Sequence, residues 1–289
     1  MALTTAIRSR LARHAPALEE RVGLTAWRFR NRDRSFSGEV PPRLAAIVER
    51  LHADGVVVTD IETLLGDRGL YETAEREAWR LYAAPRQEAE ADRGKAFLTK
   101  LARGSFAVDH PFAEIALHPA LLVVANGYLR MRSTLRALEL WLTQPTEGPA
   151  VETQLWHRDA DDVKNLKLFL YFNEVTTAAG PFVYAPTTQP GGRRRDVPEH
   201  DERWRSTDEQ IAAVVPRPEW VVCEGLPGTV VLADTCGYHK QLKPESAERL
   251  LLTAQYVSGT PLVPRAVEIT GAEGATLTDD QRVAVFDRR

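Results

Sequence analysis

A histidine and an aspartate two residues apart, His157 and Asp159, stand in Gln154-Leu155-Trp156-His157-Arg158-Asp159, just ahead of a strand-like run. In extended backbone, residues i and i+2 point to the same side. Both side chains could therefore reach one metal ion, and a second histidine would complete a two-histidine, one-carboxylate set on one face of it. His239 is the candidate. It follows a glycine turn and an apolar run over 228–234 that reads as a buried strand. Arg249 then opens a further apolar strand over 250–257. An arginine near two histidines and an aspartate, at the mouth of a barrel, can hold the far carboxylate of a small diacid through paired hydrogen bonds.

Taken together, Trp156-His157-Arg158-Asp159, Leu166-Lys167-Leu168-Phe169-Leu170-Tyr171-Phe172, Gly180-Pro181-Phe182, Gly237-Tyr238-His239-Lys240 and Arg249 resemble the phytanoyl-CoA dioxygenase family. The resemblance is firmest over residues 120–258. It implies a mainly β fold with flanking helices, a double-stranded β-helix (jelly roll, cupin-like). It implies Fe(II), with 2-oxoglutarate and O2 as co-substrates. Carried over residue by residue, His157, Asp159 and His239 would be the metal ligands and catalytic set, and Arg249 would pair with the C5 carboxylate of 2-oxoglutarate. Three protein ligands on one face leave positions for a bidentate oxo acid and for O2. The expected outcome is hydroxylation of an unactivated C–H bond of a small organic substrate. Desaturation, ring formation and epimerisation use the same triad. Related halogenases replace the carboxylate with a small residue, so Asp159 argues against halogenation. The chain departs from the pattern at Ala185-Pro186-Thr187-Thr188, where relatives often carry Pro-Gly-Ser-His, and roles attached to that His and Gly are not inherited.

Weaker candidates surround these residues. Gln154, three before His157, could approach the cofactor or form part of a strand surface. Thr253 shares the parity of Arg249 and could assist carboxylate binding. Asp234 reads either as an orienting group or as a strand-end residue, Trp156 as core, and Lys167 as interior or snorkelling to solvent. His110 and His118 lack a His-x-Asp partner and read as surface or capping residues. Two readings of other classes compete with the oxygenase. One is a jelly-roll binding or scaffold protein, which has no need of Arg249. The other is a cupin-like enzyme using another metal, which would draw on more histidines.

The chain has 289 residues, 44% hydrophobic and 27% charged, with a net charge of −3. That suits a soluble globular protein with a sizeable core. Two cysteines, Cys223 and Cys236, give no disulfide framework and fit a reducing, cytoplasmic setting. No signal-peptide core and no membrane span is evident, and no internal repeat. Residues 1–40 form a basic N-terminal extension, readable as a packed segment or as a docking surface for an acidic partner such as a carrier protein. Nucleic acid is disfavoured, because the run is short and carries no binding motif.

Residues 41–289 read as a single catalytic jelly-roll domain with helical additions, its core over 120–258. Prolines open helices after residues 41 and 119, the second reaching 133; two more are expected over 71–83 and 85–101. A strand is expected over 135–142. The polar stretch 189–218 is long for a connection inside a compact fold and reads either as a substrate lid over the barrel mouth or as a solvated loop with a helix over 207–214. Within it, Arg193–Arg195 suggest either a phosphate- or carboxylate-binding patch or solvated charge. The family acts on acyl-thioesters, amino acids, compatible solutes and secondary metabolites. The alanine- and arginine-rich composition keeps the last in view.

Overall fold

The computed structural model describes residues 22–84, 96–194, 196 and 198–286. Two antiparallel sheets face one another. The larger has six strands in the order β1 (Val56–Asp60), β8 (Thr229–Ala233), β5 (Leu166–Tyr171), β10 (Arg249–Val257), β4 (Thr134–Thr143) and β2 (Leu98–Ala102). The smaller has β7 (Val221–Cys223), β6 (Phe182–Tyr184) and β9 (His239–Gln241). A backbone bridge between His157 and His239 adds the 155–157 segment beside β9. A short parallel pair, β3 (Ser105–Ala107) and β11 (Glu268–Thr270), lies apart. Two facing sheets whose strands alternate along the chain are the jelly-roll arrangement. The protein is thus mainly β, with a cupin-like jelly roll and flanking helices.

Strand alternation explains the two cores. On β5 and β10, Leu168, Leu170, Leu250, Leu252 and Tyr256 point outward and are covered by the helices Pro42–Asp54 and Pro119–Leu129 through Leu44, Leu51, Leu121 and Leu129. The alternate residues Phe169, Tyr171 and Leu251 point inward, where they meet Phe182 and Tyr184 of the small sheet. Both faces of the large sheet are therefore apolar, as a sheet covered on both sides requires.

The helices start where prolines and caps dictate. Pro42, Pro111 and Pro119 each occupy a first-turn position, where the missing N–H costs nothing. His110 and His118 cap the helices Pro111–Ala116 and Pro119–Leu129, each ring Nδ1 accepting a backbone N–H, at 3.2 and 3.3 Å. The expected helix over 71–83 runs from Arg68 to Ala83, and the helix opened by Pro119 ends at Leu129, short of 133. Residues 85–95 of the expected 85–101 helix lie outside the described residues. Its end is not helical: 98–102 is strand β2, at the sheet edge. Lys100 pairs with Glu139 of β4 at 2.9 Å, a cross-strand ion pair that a helical reading of the charges missed. The expected 207–214 helix is the shorter Asp208–Ala212, capped by Thr207.

Of the basic N-terminal segment, 1–21 lies outside the described residues. The rest packs on the barrel: Trp27 is buried and donates its indole N–H to Asp162 at 3.0 Å, and Arg34 donates to Thr134 at 2.9 Å. Both cysteines are buried and free. Among the described residues no helix is long and apolar enough to cross a membrane.

The turn before β6 depends on Gly180, at φ +69. A Cβ there would collide with the carbonyl oxygen of Leu242 and approach the Pro244 nitrogen to 2.8 Å. These are backbone atoms and cannot swing aside. We expect Gly180→Ala to cost about 2–3 kcal/mol in urea unfolding, whereas alanine at Gly23, which has open space, should change stability by less than about 0.5 kcal/mol.

Candidate active site

Between the two sheets lies a cavity of about 160 Å³. His157, Asp159 and His239 line one part of it, and Arg249, Lys167 and Gln241 contribute further polar groups. Trp141, Phe169, Phe182 and Leu251 supply the apolar wall.

The two histidines are fixed by backbone first. His157 N–H donates to the His239 carbonyl at 2.9 Å, and His239 N–H returns the bond at 3.0 Å. Their rings consequently lie side by side, with centroids 4.2 Å apart. Each Nδ1 also lies against a carbonyl two residues back, Leu155 at 2.9 Å and Gly237 at 3.0 Å. A carbonyl only accepts, so each Nδ1 carries the proton and each Nε2 keeps a free lone pair. Burial, with His239 adding to it, pushes His157 down to about 3. Burial likewise lowers His239. Both imidazoles are thus neutral at pH 7, as metal ligation requires.

Asp159 is held from the opposite side. Its N–H donates to Thr235 O at 2.8 Å, which ties the residue to the loop leading into β9. Asn165 steadies that loop by accepting from the Thr235 N–H at 3.1 Å. One carboxylate oxygen, Oδ2, pairs with Lys167 at 2.9 Å. The other, Oδ1, faces the imidazoles, 3.7 Å from His157 Nε2 and 3.8 Å from His239 Nε2. Burial pushes the carboxyl up, but Lys167 and the two imidazoles outweigh it and hold Asp159 well below the usual carboxylate range. Burial also opposes the charge on Lys167, and Asp159 outweighs it and raises the ammonium. One atom from each of the three residues lies within 4.8 Å of the others. Two lone-pair nitrogens and an ionised carboxylate oxygen at that spacing suit a divalent cation with open positions.

Arg249 opens β10 and points into the same cavity. It is buried, its Nε has no hydrogen-bond partner, and among the described residues no carboxylate pairs with it. Burial lowers its affinity for the proton, against the pull of the Tyr171 hydroxyl. Gln241 Nε2, in the same wall, is likewise unpartnered. A buried guanidinium without an anion is costly and marks a place for one.

The structure does not bring Gln154 or Thr253 into the cavity wall. Gln154 sits on a single 3-10 turn, Glu152–Gln154, rather than a strand, and its Oε1 accepts the Val151 N–H at 3.0 Å. Thr253 shares the inward face, but Leu251 stands between it and Arg249 on that face, and its hydroxyl is 3.5 Å from Glu139 O. Asp234 is a loop organiser: it accepts from the Tyr128 hydroxyl at 2.6 Å and from Cys236 N–H at 3.0 Å. Trp156 is wholly buried.

Sequence reasoning did not single out Gln241, Thr153, Trp141 or Arg205. Gln241 was within reach, since it stands two residues after His239 on one strand face. Arg205 belongs to the 189–218 insertion, which pairs with the barrel where Ser206 and Trp156 exchange backbone hydrogen bonds at 3.0 and 3.2 Å. Its positive charge acts on both histidines, and its guanidinium lies 3.7 Å from Glu152. Within the same insertion, Arg194 is paired with Glu219 at 2.6 Å and Arg193 is exposed, while Arg195 lies outside the described residues.

No protein-family model and no curated protein sequence matches the chain. Solved structures do. The epimerase SnoN, in complex with Fe3+, alpha-ketoglutarate and nogalamycin RO, is similar with a TM-score of 0.57 and 17% identity, over 83% of this chain and 91% of that one. EctD from S. alaskensis, with 2-oxoglutarate and 5-hydroxyectoine, gives 0.54 and 18%, over 78% and 82%. The non-haem monooxygenase ThoJ gives 0.52 and 18%, over 77% and 80%. At such identities the likeness is one of fold.

Removing Lys167 should expose what it does for Asp159. Lys167→Met leaves a buried carboxylate unpaired, so the metal-free variant should lose about 3–5 kcal/mol of stability. Mn(II), a redox-quiet stand-in, should then raise the melting temperature of the variant more than that of the wild type. An equal rise in both would show that Lys167 and the ion do not share the carboxylate.

Proposed function

We propose that the protein is an Fe(II)- and 2-oxoglutarate-dependent oxygenase that hydroxylates a C–H bond of a small organic molecule. One observation carries this reading: two neutral imidazole nitrogens and one carboxylate oxygen converge on a cavity that also holds a buried, anion-less arginine. A structural metal site would not need that arginine.

His157 Nε2, His239 Nε2 and Asp159 would hold the iron. When bound, Fe(II) supplies the redox chemistry that couples reduction of O2 and decarboxylation of 2-oxoglutarate to C–H oxidation. The residues do the rest. Arg249 binds the distal carboxylate of the oxo acid and fixes its direction. Lys167 keeps Asp159 ionised and turned toward the histidines. Phe169, Phe182, Trp141 and Leu251 exclude water around the reacting groups. In this reading 41–289 is one catalytic domain, and 189–218 covers the mouth as a lid, with Arg205 a charge of the lid that acts on both histidines. The resemblance of the His-x-Asp, Gly-Pro-Phe and His segments to the phytanoyl-CoA dioxygenase family supports the same chemistry. So do similarly folded proteins solved with Fe and 2-oxoglutarate. The similarity to SnoN favours epimerisation as a second outcome for the same residues.

The test is succinate formation from 2-oxoglutarate by anaerobically reconstituted Fe(II) protein exposed to O2. Wild type should produce succinate, and His157→Ala should not. Arg249→Ala should raise the KM for 2-oxoglutarate roughly 10- to 150-fold, the worth of a lost charged hydrogen bond. Absence of succinate, together with no binding of Fe(II) or 2-oxoglutarate, would overturn the proposal in favour of a binding scaffold.

A further inference from the structure

A second, partly enclosed cavity of about 200 Å³ lies near the start of the 189–218 insertion, away from the metal-ligand set. Its walls carry Arg28, Arg130 and Lys164, together with His52, Tyr128 and Gly191. Three cations come from three separate elements: the helical stretch 22–30, the end of the Pro119–Leu129 helix, and the loop before β5. Arg28 and Arg130 are exposed at the rim and Lys164 is buried, and among the described residues none of the three has an ion-pair partner. Lys164 is only 8% exposed, and its Nζ sits 3.9 Å from the Tyr128 ring centroid.

Asp234 offsets the charge of Lys164 in part, and its single negative charge cannot balance all three cations. Its carboxylate accepts from the Tyr128 hydroxyl at 2.6 Å and the Cys236 N–H at 3.0 Å. The helix C-termini next to His52 and Arg130 offer only partial negative charge. Arg130 is also held at φ +58, a left-handed conformation that favours glycine. A long cationic side chain is thus kept at a position where glycine would cost less. Burial and the three cations together push His52 down to about 4, so it is neutral at pH 7.

We propose that this cavity binds a phosphate-type oxyanion, held by the Lys164 ammonium and the Arg28 and Arg130 guanidiniums. With Asp234 ionised the cluster carries two net positive charges, and a single carboxylate would answer only one of them. A tetrahedral dianion offers acceptors in enough directions to meet three donors from three elements. The same chemistry belongs to free phosphate and to the terminal phosphate of an organic molecule. Arg28 belongs to the basic N-terminal run, which gives that run a role the oxygenase reading does not use.

The test is calorimetric titration of metal-free, full-length protein with inorganic phosphate and with methyl phosphate, at fixed pH and ionic strength. Wild type should show saturable binding at one site. Arg130→Gly suits the backbone and should fold, with its melting temperature checking that. Both it and Lys164→Met should weaken binding about tenfold or more. Tighter binding of methyl phosphate identifies a phosphate monoester as the source, and tighter binding of inorganic phosphate identifies the free ion. No saturable binding, or binding unchanged in both folded variants, would overturn the proposal.

Discussion

Two reciprocal backbone hydrogen bonds between His157 and His239 are the constraint on which the site depends. They join the segment after β4 to the strand that follows the β8 turn, two parts of the chain that meet only once the jelly roll has closed. The side chains inherit their separation from that backbone pair. The carbonyls of Leu155 and Gly237 then set both ring tautomers, so the lone pairs face the cavity before any ligand arrives. Such preorganisation lowers the cost of binding an ion, because little conformational freedom remains to be lost.

Electrostatics completes what the backbone begins. The cavity gathers two cations, Lys167 and Arg249, and treats them differently. Lys167 is paired, and it keeps Asp159 ionised against a burial that would otherwise neutralise it. Arg249 has no acid partner among the described residues, and Gln241 in the same wall also has an unused donor. A metal set with one negative charge beside an unanswered guanidinium calls for a small acid spanning the two. The apolar side chains between them strengthen both interactions by keeping water out.

That His157, Asp159 and Arg249 would lie on one cavity was legible from the i, i+2 spacing of extended backbone and from Arg249 at the head of an apolar run, although 157–159 is a bridge and loop rather than a strand. The jelly roll followed from the family resemblance, while apolar residues on both faces of 166–172 argued only for a strand covered on both sides, as in a sandwich or barrel. Other features depend on contacts that no local pattern encodes. The parity of Lys167 was clear, but its interior role rests on Asp159. Gln154 was read as approaching the cofactor or as part of a strand surface, and it lies on a 3-10 turn outside the cavity wall. Thr253 has the inward parity of Arg249, but the cavity ends before it. Strand β2 was read as the end of a charged helix, because its Lys100 finds its partner, Glu139, across a sheet rather than along a helix. Arg205 reaches the site only because the insertion folds back to pair Ser206 with Trp156.

The central claim is that one iron is held by His157, His239 and Asp159. The most direct test is a crystal structure of the protein loaded anaerobically with Fe(II), with the metal located by its anomalous scattering. The account predicts one strong peak bonded to both Nε2 atoms and to an Asp159 oxygen. A peak elsewhere, or none at full Fe(II) loading with Asp159 still turned to Lys167, would contradict it.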